Sequence, residues 1–67
     1  MDNLKGSVKS IIERLTKENA TIFSEKLFLE AGEMGIGETY VRKALQELQE
    51  EKYVEQVFNS KVIKRLA

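Results

Sequence analysis

Hydrogen-bond donors are concentrated in one short stretch of the chain, residues 39 to 46. Arginine, lysine and glutamine side chains donate to phosphate oxygens and to purine edges, and threonine and tyrosine hydroxyls donate to phosphates. The donors of this stretch are Thr39, Tyr40, Arg42, Lys43 and Gln46. A further cation, Lys61, follows the turn-forming pair Asn59-Ser60. These residue types favour recognition of a phosphate-bearing surface over bond-breaking chemistry.

Side chains that catalyse reactions or hold metals are scarce. The chain has no cysteine and no histidine, so disulfides and the usual zinc, copper and iron ligand sets are missing. Glu47, Glu50 and Glu51 fall on a predicted helix surface, without the burial that tunes a catalytic pKa. A phosphate-cradling GxxxxGK motif is also absent from the sequence. We therefore predict no enzymatic activity, no metal and no small-molecule cofactor.

Length and composition predict one folded domain over residues 1–67. A chain of 67 residues supports one small core. Its 42% hydrophobic and 33% charged residues are typical of globular proteins. The apolar runs are far shorter than the roughly 20 residues needed to span a bilayer, and the N-terminal residues do not resemble a signal peptide. We expect a cytoplasmic protein with no membrane partner.

Charge is balanced overall but unevenly distributed. Eleven Lys and Arg residues oppose eleven Asp and Glu residues. Residues 1–20 carry four cations and three acids, residues 21–52 four cations and seven acids, and residues 53–67 three cations and one acid. Phosphate binding depends on clustered cations and weakens with salt. Any contact with DNA is therefore expected to be modest in affinity and strongly salt-sensitive.

Two helices are predicted in the first half of the chain. The first, about residues 4–18, has apolar residues at helical spacing. They are Leu4, Val8, Ile11, Ile12 and Leu15. A short β-branched run at 21–23 predicts a strand. Ser24 is then the expected N-cap of a second helix, about 25–33, which turns Leu27, Phe28 and Ala31 inward.

Three glycines, Gly32, Gly35 and Gly37, predict a sharp change of direction before a third helix, about 38–51. This is either the turn of a helix-turn-helix or an ordinary helical hairpin loop, and Ile36 favours the former because it can pin the turn to the core. The buried stripe of the third helix is predicted to be Val41, Ala44, Leu45 and Leu48. The donors described above then lie on or beside its exposed face. The alternative is that this face is merely solvated.

A β-hairpin is predicted over about residues 53–66, with Asn59-Ser60 as a two-residue loop. This loop places Val57 opposite Val62 and Glu55 opposite Lys64. The strand near residue 22 is expected to complete a three-stranded sheet. In such a wing, Lys61 is the main candidate for contact with a phosphate backbone, followed by Lys64 and Arg65.

From about Val8 to Leu66 the chain resembles the winged helix-turn-helix family. Its fold would be mainly α with a small antiparallel β-sheet, made of three helices and a two- or three-stranded wing. Residues 36–48 are similar to the recognition helix of GntR-type and MarR-type regulators, since Val41, Arg42, Ala44 and Leu45 match. Gly37 and Glu38 depart from that pattern, and an acid at position 38 repels DNA. The resemblance implies a small regulator that binds double-stranded DNA. The implied contacts are Thr39, Tyr40, Arg42, Lys43, Gln46 and Lys61.

A second resemblance implies a different partner. Residues 28–55 are also similar to the C-terminal winged-helix domains of archaeal minichromosome maintenance helicases. That likeness implies a regulatory or protein-interaction module of the replication machinery with weak or no DNA binding. The interface would then be the acidic second helix with Tyr53 and Phe58. A homodimer through the first helix is a further alternative.

Overall fold

The computed structural model describes residues 3–66, with side chains from residue 5 onwards. Three helices and three strands follow one another along the described residues in the order α1 (Asn3–Leu15), β1 (Thr21–Phe23), α2 (Ser24–Glu33), α3 (Glu38–Glu50), β2 (Val54–Val57) and β3 (Val62–Arg65). This mainly helical fold with a three-stranded antiparallel sheet confirms the predicted winged-helix architecture. In the described part of the chain, no helix is long and apolar enough to cross a membrane.

Helix α1 lies across the core and ends earlier than predicted. Val8, Ile11 and Ile12 are buried as expected, whereas the side chain of Leu4 is outside the described residues. The helix stops at Leu15 rather than near residue 18. Thr16 holds the end, because its N–H and its hydroxyl both donate to the Ile12 carbonyl, at 2.9 and 2.6 Å.

Arg65, from the other end of the chain, prevents α1 from continuing. Its guanidinium donates to the Thr16 hydroxyl (2.7 Å) and to the Thr16 carbonyl (3.1 Å). That carbonyl would otherwise accept a hydrogen bond from the next helical turn. A tertiary contact therefore ends the helix.

The sheet has the strand order β1-β3-β2, so the last strand is central. The predicted hairpin register is confirmed, with Val57 opposite Val62 and Glu55 opposite Lys64. On the other side, Ile22 pairs with Ile63. Ile63 is fully buried, so this face of β3 closes the core and the alternate residues point outward.

The turn between α2 and α3 is a Schellman motif centred on Gly35. Gly35 has φ +79°, its N–H donates to the Gly32 carbonyl (3.0 Å), and the Ile36 N–H donates to the Ala31 carbonyl (2.9 Å). Both patterns are those expected of this motif. Ile36 is buried as predicted, so the turn is pinned to the core.

The core joins one face of each helix to the inner face of the sheet. Its fully or nearly fully buried members are Val8, Ile11, Ile12, Leu27, Ala31, Ile36, Val41, Ala44, Leu45, Leu48, Tyr53, Val54 and Ile63. The predicted stripe of α3 is thus confirmed in full. Phe28 is only partly buried and packs against the edge of the core.

Candidate nucleic-acid interface

The polar face of α3, defined by Thr39, Lys43, Gln46 and Glu50, points away from the core. All four side chains are exposed, as the 3.6-residue period requires once the apolar stripe is buried. Within the described residues, Thr39, Lys43 and Gln46 have no ion pair or side-chain hydrogen bond. Their donors are therefore available to a ligand.

Tyr40 and Arg42 lie on opposite flanks of this face, since two helical positions differ by about 200°. Tyr40 is exposed. Arg42 is exposed but engaged, because its guanidinium donates to the Glu38 carboxylate at 2.7 and 2.9 Å. The same guanidinium carbon lies 5.0 Å from the ring centre of Phe28, within cation–π range. Glu38 and Phe28 thus fix the position of Arg42.

The hairpin ends in a compact turn, Phe58–Lys61, here called the wing turn. The Lys61 N–H donates to the Phe58 carbonyl (3.1 Å). The φ angles of Phe58, Asn59 and Ser60 are all positive, at 53°, 58° and 66°. Positive φ at the two central residues is typical of the tight turns that match strand twist. Asn59 and Ser60 are at the centre of the turn as predicted, but strand pairing ends at Val57 and Val62, so the loop spans residues 58–61 rather than the predicted two residues.

Ser24 anchors the wing turn to the start of α2. Its hydroxyl donates to the Ser60 carbonyl (2.5 Å), and its N–H donates to the Lys61 carbonyl (2.8 Å). The prediction that Ser24 caps α2 is wrong: Ser24 is the first residue of the helix, Phe23 holds the cap position, and no side chain caps it. The buried hydroxyl is satisfied by the turn instead.

A groove runs between the wing turn, α2 and the start of α3. Among its lining residues are Phe28, Lys26, Glu38, Arg42 and Lys61. Two of the predicted contacts, Arg42 and Lys61, therefore share one groove. The polar face of α3 begins beside it, whereas Tyr40 lies on the far flank of the helix.

Cations of α1 pair with three of the seven acids in residues 21–52. Glu30 contacts Arg14 (2.8 Å) and Lys26 (3.5 Å). The hydrogen bond from Arg14 is the main reason that the pKa of the Glu30 carboxyl is lowered. Lys5 pairs with both Glu47 (3.9 Å) and Glu51. These carboxylates are engaged by cations of the positive N-terminal segment.

Two residues considered for other roles are placed differently from the expectation. Arg65 is committed to Thr16, as described above, rather than offered to a phosphate backbone. Tyr53 is only 8% exposed. It therefore cannot form part of the protein interface that the resemblance to the helicase domains implies. Tyr53 follows the end of α3, and its N–H donates to the Leu48 carbonyl (2.9 Å). Its ring lies in the core. Phe58 is exposed.

Neither a cluster of metal ligands nor similarity to a known protein contributes to the assignment of this site. Within the described residues, no group of three or more Asp or Glu side chains is placed to hold a metal ion. No protein-family model, curated protein or solved structure matches the chain.

Proposed function

We propose that this protein binds double-stranded DNA, with α3 in the major groove and the wing turn on the phosphate backbone. The observation that carries the proposal is the free polar face of α3 beside an anchored turn that bears Lys61. Thr39, Lys43 and Gln46 supply unpaired donors, and Lys61 has no ion pair within the described residues. The backbone that carries these donors is already ordered in a helix and an anchored turn, so binding does not have to order it.

The dimensions of the element suit this role. Helix α3 has 13 residues and is therefore about 20 Å long at 1.5 Å per residue. The major groove is about 12 Å wide and admits an α-helix. The N-terminal half of α3 carries Thr39 and Lys43, and it is the end nearer the wing turn through the groove shared by Arg42 and Lys61.

Few phosphates can be neutralised by so small a basic surface. Lys43 and Lys61 form no ion pair with the described residues, and Arg42 is available only if it leaves Glu38. Each neutralised phosphate adds about 0.9 to the slope of log affinity against log salt. We expect weak binding with a slope of about two to three.

The test is a titration of labelled duplex DNA at about 50 and about 200 mM salt, followed by fluorescence anisotropy. Lys43→Glu should weaken binding and reduce the salt slope by about one. Lys17→Glu is the matched control, because Lys17 lies in a surface group with Ser10, Glu13 and Arg65 that includes no residue of α3. Equal losses in the two variants would mean that α3 does not bind the DNA.

A second variant tests the role of Glu38. Glu38→Gln removes an acid from the DNA-facing end of α3 and releases Arg42 from its ion pair. We expect affinity to rise about threefold, because an exposed ion pair worth up to about 1 kcal/mol no longer has to be broken. Unchanged or weaker binding would show that Arg42 does not reach the phosphates.

A further inference from the structure

The outer face of the sheet carries an apolar row in which two phenylalanines are exposed and two valines are half-buried. Phe23, Val62 and Val57 are aligned across β1, β3 and β2, and partners in an antiparallel pair share one face. Phe58 follows directly in the wing turn. Phe23 is 70% exposed and Phe58 is 75% exposed. We call these four residues, with Lys61 and Lys64 beside them, the outer sheet face.

Phe58 has an unfavourable backbone conformation, and its exposed ring gains little stabilisation from packing. Its φ of 53° lies in the left-handed region, where a bulky residue is an outlier and asparagine or glycine is preferred. The exposed ring contributes little to the core. An exposed aromatic ring at a left-handed turn position, where asparagine or glycine would be less strained, points to a role of the ring in binding.

Two lysines line the depression beside the apolar row, and the acid on the same face of the sheet, Glu55, lies outside that depression. Lys61 and Lys64 line the same shallow depression as Phe23, Val57 and Phe58, and no carboxylate lines it. Within the described residues, neither lysine forms an ion pair. Glu55 is the cross-strand neighbour of Lys64, yet the two are not within ion-pair distance. The depression therefore combines apolar side chains with two free cations.

We propose that the outer sheet face docks an acidic amphipathic peptide segment of a partner protein. Apolar side chains of the segment would cover Phe23 and Phe58, and its flanking carboxylates would meet Lys61 and Lys64. Charge complementarity favours this occupant over a second copy of the chain, because two such faces would bring like-charged lysines onto one interface. The outer sheet face shares Lys61 with the proposed DNA-binding surface but includes no residue of α3, so the proposal does not depend on DNA binding.

The probe is a labelled synthetic peptide that alternates phenylalanine or leucine with aspartate. It is titrated into isotope-labelled protein at low salt while amide shifts are followed. We expect shifts in β1, β3 and the wing turn. A peptide with lysine in place of each aspartate is the charge control and should bind at least about tenfold more weakly.

Phe58→Asn is the decisive variant, since asparagine suits the left-handed backbone and keeps the turn folded. It should weaken peptide binding about tenfold, as expected for loss of an aromatic anchor, without lowering thermal stability. Met34→Gln is the matched control, because Met34 is also exposed but lies in the turn between α2 and α3. Equal effects of the two variants, or equal binding of both peptides, would overturn the proposal.

Other occupants give distinct results that would also overturn it. Concentration-dependent shifts of the same residues without peptide would identify a homodimer. Binding to vesicles of anionic lipid, lost in Phe58→Asn, with no peptide binding would identify a lipid surface. Failure of DNA binding is separable, because Lys43 lies on the polar face of α3 and not on the outer sheet face, so Lys43→Glu should weaken DNA binding and keep peptide binding.

Discussion

At the scale of single residues, Tyr53 combines a well-packed ring with an unsatisfied hydroxyl. The ring belongs to the core, and the Lys9 ammonium lies 4.7 Å from its centre. The hydroxyl is buried, and it has no hydrogen-bond partner among the described residues. An unpaired buried polar group costs about 1–3 kcal/mol. The ring therefore stabilises the fold while the oxygen opposes it.

Tyr53→Phe should raise the free energy of unfolding by about 1 kcal/mol, because it removes the unpaired hydroxyl and keeps the ring. Urea denaturation measures the change. Tyr40→Phe is the control and should leave stability unchanged, since that hydroxyl is exposed. A less stable Tyr53→Phe would mean that the hydroxyl is satisfied in solution.

The stability difference between Tyr53→Phe and the unchanged protein should depend on pH. Burial raises the pKa of the Tyr53 phenol, with a further rise from the charge of Glu13 and a partial offset from Arg65. The folded state thus prefers the neutral phenol, so the stability linked to this proton is complete below the unfolded pKa of about 10 and is lost as pH rises through the higher folded value. The stability advantage of Tyr53→Phe should therefore widen above pH 10.

The exposed site residues were predictable, whereas their tertiary partners were not. Thr39, Lys43 and Gln46 follow from the period of the α3 stripe, which local sequence determines. The engagement of Ser24 by the wing turn brings together residues 24 and 60, and no local pattern reports such a contact. Tyr53 was misplaced because an aromatic residue at the start of a strand is equally compatible with an inward or an outward side chain.

At the scale of secondary-structure elements, the two glycines near the end of α2 have different backbone conformations. Gly35 needs its positive φ, whereas Gly32 lies inside the helix. Apart from its chain neighbours and, at Gly32, the backbone of its own helix, an added Cβ would meet no atom of the described residues within 4 Å at either position. Any effect of alanine therefore comes from the backbone alone.

Gly35→Ala should destabilise the protein by about 1 kcal/mol or more, because alanine is strained at positive φ. Gly32→Ala should stabilise it by about 0.5–1 kcal/mol, because alanine favours the helix. Thermal unfolding of both variants provides the comparison. The same sign in both would contradict the Schellman geometry of this turn.

The element boundaries show what limits prediction. The hairpin register follows from β-alternation and from the Asn59-Ser60 loop, both of which are local signals. The end of α1 does not, because residues 16–18 have no strong helix breaker and the stop is imposed by Arg65. Boundaries set by long-range contacts cannot be derived from a local pattern.

At the scale of the whole molecule, Arg65 ties the central strand to the first helix. Lysine keeps the charge but lacks the planar fork that donates to both oxygens of Thr16. Arg65→Lys should therefore lower the free energy of unfolding by about 1 kcal/mol. It should also speed hydrogen exchange at the C-terminal end of α1, which mass spectrometry or NMR can measure.

Lys64→Arg is the matched control for Arg65→Lys. Lys64 is exposed on the outer sheet face, so its replacement should change stability by less than about 0.5 kcal/mol. If the two variants behave alike, the contact with Thr16 does not hold the end of α1.

The strand order has a consequence for the way the protein is made. Because β3 lies between β1 and β2, both edge strands lack their hydrogen-bonding partner until residues 62–65 have been synthesised. During translation the three helices can form first. Strand β1 cannot pair until β3 is present, because the two strands are separated in sequence by more than half the length of the chain. The wing turn, its anchor on Ser24 and the outer sheet face must then be completed together, after the ribosome has added β3.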